Sequence, residues 1–187
     1  MEDKTRKILV KNRSSATVII SIPNRNIKVT LQPGQVVNTL TFGDIEDYSY
    51  QPGGDRMLRE YLQLSEADIS QLALGEPQLE YNYSEKDIIA LLKPANPDNF
   101  DAFLDCLDFA PTGVIDLVKK YAVELPLTDT RKLEAIAEKT GFNAADAIRH
   151  AAEEKEVEKE EKKAPQRRVV SKVEQPTTTG RRVTPSK

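Results

Sequence analysis

Thr17-Val18-Ile19-Ile20-Ser21-Ile22, then Pro23-Asn24-Arg25-Asn26, then Ile27-Lys28-Val29-Thr30-Leu31 is the stretch whose reading decides the fold. Two β-branched runs flank a short block of turn-forming residues, which predicts antiparallel strands joined by a tight connection. The alternation in Ile27-x-Val29-x-Leu31 places three apolar side chains on one face and turns Lys28 and Thr30 to water. Similar runs lie on either side, at Ile8-Leu9-Val10 and Val36-Val37-Asn38-Thr39-Leu40. Asn12-Arg13-Ser14-Ser15 and Gln32-Pro33-Gly34 separate them, so residues 1–42 read as a small antiparallel β unit of four strands. Its apolar face needs a cover, supplied by later helices or by another copy of the chain.

Beyond Phe42 the texture changes to short amphipathic segments. Gly43 to Asp47 predicts one helical turn, and Asp55 to Leu62 carries apolar residues in the pattern of a helix with one buried stripe. Ser65-Glu66-Ala67-Asp68 reads as a capping box, and Leu79-Glu80-Tyr81-Asn82-Tyr83 alternates like an isolated strand. Residues 43–83 therefore read as a linking region with short helices. From Ser84 the signals become regular. Ser84 and Asp98 cap two helices, Pro111 opens a third, Thr128-Asp129-Thr130 caps a fourth, and Asn143 begins a fifth. Residues 84–151 predict a bundle of short helices, and the whole reads as α+β.

After Ala151 the sizeable apolar side chains are Val157, Val169, Val170, Val173 and Val183, scattered among charges, Pro, Thr and Ser. Such a segment offsets little of its ordering entropy, about 1–2 kcal/mol per residue for the backbone. Residues 152–187 are thus expected to form a charged, disordered arm. Arg167-Arg168-Val169-Val170-Ser171-Lys172 is echoed by Arg181-Arg182-Val183-Thr184-Pro185-Ser186-Lys187, which suits docking segments or sparse contacts to nucleic acid.

Charge is segregated along the chain. The formal net charge of −3 hides a balance of +5 over residues 1–42, −11 over 43–109, zero over 110–151 and +3 over 152–187. That pattern suits binding to acidic surfaces at either end, with ordinary solvated faces as the plain alternative. No apolar run is long enough to span a bilayer, and the first residues lack the apolar centre of a signal peptide, so a cytoplasmic origin and no membrane are expected.

The search for chemistry returns little. The lone histidine, His150, lies on an Ala-rich helix, away from any nucleophile that would need it. The lone cysteine, Cys106, excludes an internal disulfide and reads as a small buried thiol. Asp101, Asp105 and Asp108 line one helical face, a geometry open to a divalent cation but far commoner as a solvated acidic face. Gly53-Gly54 lacks the Lys-Ser/Thr of a phosphate loop. Residues 131–148 have the layout of a helix-turn-helix, yet the second helix offers Asn143, Asp146 and Arg149 and runs into glutamates that a phosphate surface repels. No cofactor, metal or catalytic residue is assigned, and a non-enzymatic role is expected.

The blocks Tyr48-Ser49-Tyr50-Gln51-Pro52-Gly53-Gly54, Leu107 to Ile115, Ala122 to Leu127 and Glu138-Lys139-Thr140-Gly141-Phe142 resemble those of small, mostly uncharacterised proteins from the structural-gene regions of tailed bacteriophages. The likeness covers roughly residues 8–150. It implies a virion or assembly component; several copies in a symmetric particle, and presence in the host cytoplasm while that is built, are expected. The family has no assigned site residues to carry over. From the residues themselves, the candidate partner surfaces are Ile27, Val29 and Leu31 on the β unit and Arg167, Arg168, Lys172, Arg181 and Arg182 in the arm. Expected partners are capsid, portal or neck subunits. The alternative is a regulatory or scaffolding adaptor that uses the helical corner or basic tail on nucleic acid.

Overall fold

A computed structural model describes residues 3–75, 79–95 and 97–163. It has the α+β arrangement expected: a small antiparallel β unit followed by helices. The four β-branched runs do not form one meander. β1 (Val10–Asn12) is the centre of a three-stranded antiparallel sheet between β4 (Val36–Val37) and β5 (Leu62–Gln63), with Val10 opposite Val37 and Lys11 opposite Gln63. β2 (Val18–Ile22) and β3 (Ile27–Leu31) form a separate hairpin, paired from Ile22–Ile27 to Val18–Leu31. Asn26 closes its turn in the left-handed region, at φ 54°.

Asn12 explains the split into two sheets. Its buried amide donates to the Ala16 carbonyl at 2.8 Å and the Leu31 carbonyl at 3.0 Å, while its Oδ1 accepts from the Ser14 amide and hydroxyl. The chain is turned out of the first sheet and pinned to the end of the hairpin. Every polar atom of that buried side chain finds a partner, as burial demands.

The cover for the apolar faces comes from residues 42–74. α1 (Phe42–Ser49) opens with a capping box between Thr41 and Asp44 and runs for two turns where the pattern predicts one. α2 (Gly54–Glu60) and α3 (Glu66–Gln71), the latter capped by Ser65, follow. Phe42, Ile45, Leu58, Leu62, Leu64 and Leu74 share one core with Ile8, Val10, Ile20, Ile22, Leu31 and Leu40. The predicted linking region is therefore not a linker: residues 43–74 are the other half of the first core. Single-chain periodicity misses this because each segment is too short to show more than one buried stripe.

The second core runs from Tyr81 to Ala144. Leu79–Tyr81 is a 3-10 turn in place of the expected strand, since Tyr81 is drawn into the core and its hydroxyl donates to Asp105 at 3.1 Å. α4 (Glu85–Leu92), α5 (Phe100–Phe109), α6 (Thr112–Glu124) and α7 (Thr130–Thr140) pack Ile88, Phe103, Leu107, Val114, Val118 and Ile136 together. Gly141, at φ 68°, lets the chain reverse into α8 (Ala144–Lys163).

α8 corrects the predicted arm. The helix continues through residues 152–163, which were expected to be extended. Its packed beginning, with Ala144 buried and Ile148 against the core, supplies the costly nucleus, and each further Ala, Glu or Lys adds a helical hydrogen bond at little cost. Residues 164–187 lie outside the described residues.

Candidate functional site

Three of the seven basic residues of positions 1–42 pair with the acidic middle inside the fold. Lys4 pairs with Glu46 at 2.5 Å, Arg6 with Asp68 at 2.6 Å, and Arg25 with Asp44 at 3.0 Å and Asp47 at 2.5 Å. Arg6 also lies over the Phe42 ring, 5.4 Å from its centroid. Asp68 is nearly inaccessible and accepts from the Ser65 hydroxyl as well, so this pair holds the N-terminal segment to α3. The charge segregation in the sequence is thus partly an internal matter.

The candidate partner residues of the β unit are placed by the same packing. Leu31 is 0% exposed, so it cannot meet a partner, and Ile27 and Val29 are partly buried against the first core. That corrects the expectation of a free apolar face there: the three side chains pack into or against the first core. The outer face of the three-stranded sheet does show two apolar side chains, Leu9 and Val36, beside Lys11. Arg167, Arg168, Lys172, Arg181 and Arg182 lie outside the described residues.

The residues weighed for chemistry are accounted for one by one. Cys106 is 0% exposed in the second core, and burial pushes its thiol up to about 12. Of the acidic trio, Asp105 accepts from Tyr81, and Asp108 pairs with Lys139 at 2.6 Å. Among the described residues no group of three or more His, Cys, Asp or Glu side chains is arranged to hold a metal ion. His150 is exposed on α8, its Nδ1 3.6 Å from Glu153. The basic residues of the helical corner are engaged: Arg131 with Asp98 and Asp129, Lys139 with Asp108, Arg149 with Asp146. They leave the corner electrostatically balanced. No described helix is long and apolar enough to cross a membrane.

Two arrangements escape sequence reasoning. Lys132, 0% exposed, caps the end of α4: its ammonium donates to the Leu91 carbonyl at 2.6 Å and to Asn99 Oδ1 at 2.7 Å, and lies 5.4 Å from the Phe103 centroid. Burial pulls its pKa down, opposed by Asp129 and Asp98. A lysine in an amphipathic helix reads as solvated, and only the tertiary position of α4 reveals otherwise. The second is the seam between the cores. Glu60, ending α2, accepts from the Thr112 amide and hydroxyl, both at 2.8 Å, at the start of α6. Arg13 donates to the Arg59 carbonyl beside it, and burial pulls its guanidinium down to about 10, still charged at neutral pH.

Among the described residues, α8 also leaves surface without a partner. Its first residues pack on α6 and α7, but every side chain from Ala152 to Val157 is exposed, and the helix continues to Lys163. At 1.5 Å per residue the part beyond Ala151 projects by about 18 Å. A helix polar on all sides bridges solvent or meets another molecule. No protein-family model, curated protein or solved structure matches this chain.

Proposed function

We propose that the chain is a non-enzymatic structural protein of a tailed-bacteriophage particle, attached to capsid, portal or neck subunits through α8 and the segment beyond it. One observation carries the reading: α8 leaves the second core, and its side chains from Ala152 to Val157 are all exposed. Nothing in the two cores requires that extension. The sequence that follows it repeats an Arg-Arg-Val motif at residues 167–169 and 181–183, which supplies a bivalent basic element. Several such copies on a symmetric particle convert weak single contacts into firm attachment by raising effective concentration. The likeness of residues 8–150 to phage structural-gene products supplies the context. The chain then belongs in the virion, and in the host cytoplasm during assembly.

The internal pairing of the β unit with the acidic middle moves the proposed interface from those regions to the C-terminal element. The balanced charge of the α7–α8 corner favours this reading over a nucleic-acid adaptor. Binding to purified particle subunits, measured with the full chain and with a chain ending at Ala151, tests it. Retained attachment after truncation contradicts it. A steep loss of affinity between low and physiological salt, with duplex DNA competing, would instead favour the nucleic-acid adaptor.

A further inference from the structure

The two cores, one ending at Leu74 and the other starting at Tyr81, share no buried residue. Among the described residues, the hydrogen bonds that cross between them are the two that Thr112 donates to Glu60. α6 has no side-chain cap of its own, because Pro111 occupies the N-cap position, and Glu60 supplies the missing acceptor from the other core. A carboxylate there also meets the positive end of the helix. Next to it the backbones touch. A Cβ on Gly113 would lie 2.9 Å from the Glu60 carbonyl oxygen and 3.2 Å from that of Arg13, so glycine is required for this approach. Clefts of about 470 Å³ and 390 Å³ flank the contact, each walled by both cores, and Arg13 borders both. Its Nε is buried with no hydrogen-bond partner, so the seam is less fully satisfied than the buried Asn12 turn beside it.

We propose that this seam is a pivot: the two cores turn relative to one another about Gly113, and the Glu60 carboxylate is the latch that sets the angle. Two hydrogen bonds and one close backbone approach between two clefts leave few groups to resist rotation, and hinge motions concentrate where few groups absorb the change. Each core keeps its own packing throughout. The pivot is independent of what α8 binds.

The test uses the full chain with spin labels at Lys28→Cys and Lys86→Cys, two exposed positions on opposite sides of the seam, while buried Cys106 stays unlabelled. Pulsed distance measurement should give a single narrow distribution for the otherwise unaltered chain. Glu60→Ala should broaden it, Gly113→Ala should shift it by several ångströms by wedging the backbones apart, and Glu60→Gln, which retains an acceptor, should restore the narrow form. Amide exchange at Ile20 and Ile136 reads each core separately and should stay protected in all variants. Unchanged distances in both Glu60→Ala and Gly113→Ala overturn the pivot. So does loss of protection in either core alongside the distance change, because the seam would then be part of that core.

Discussion

Cys106, Lys132 and Glu60 show how much one side chain's surroundings decide. Cys106 is enclosed and its thiol is held protonated, so a thiol reagent should label it only as fast as the second core opens. Labelling of the folded chain at the rate of a free thiol would contradict that placement. Lys132 replaces water at three carbonyls of α4's end. Lys132→Met keeps the stem and removes the donors, and should lower unfolding free energy by about 2 kcal/mol in denaturant titration. Glu60 titrates in the opposite sense from a lysine. Burial works to raise its carboxyl, but the Thr112 hydrogen bonds and the nearby Arg13 and Arg56 charges outweigh this and hold it below its ordinary 4.5. Its stabilisation is therefore complete above 4.5 and lost as pH falls through the lowered value. Exchange protection of the Thr112 amide should fall with acid in that range, and Glu60→Gln should remove the pH dependence. The thiol's burial was legible from the spacing of Phe100, Phe103, Leu104 and Leu107 around it. The roles of Lys132 and Glu60 were not, since each acts on a helix end brought close only by the tertiary fold.

The helices show where local signals suffice. Thr41, Ser65 and Ser84 each cap a helix by accepting from the amide three residues on, the relation that Ser65 and Ser84 announce in sequence. Thr41→Ala should cost about 1 kcal/mol, read as a lower unfolding midpoint. The strands were legible as runs and turns but not as sheets. Pairing of β1 with β5, which joins Lys11 to Gln63 and Asn12 to Leu62 far along the chain, has no periodic signature in two residues. The run of α8 beyond Ala151 is not legible in composition, because the packed start that nucleates it is set by the tertiary fold. A chain ending at Ala151 should keep the thermal midpoint of the full chain, since the side chains from Ala152 to Val157 bury nothing, while losing far-ultraviolet helical signal. A large drop in midpoint would mean that the part of α8 beyond Ala151 packs on the body.

Two cores of similar make-up, joined at one seam, give the molecule its organisation. Ile20 and Ile136 are fully buried in the first and second core respectively. Truncation of either to alanine should cost about 3 kcal/mol, with exchange protection lost mainly in the core that carries it. Lys4, Arg6 and Arg25 meet acidic residues of α1 and α3, and the extension of α8 is turned outward. The central claim is that this chain acts by attachment through that extension. Quantitative mass spectrometry of purified phage particles, made with the full chain and with one ending at Ala151, tests it most directly. The account predicts a fixed copy number matching the particle's symmetry for the full chain and loss of the truncated one. Absence of the full chain from particles, or equal incorporation of both, would contradict it.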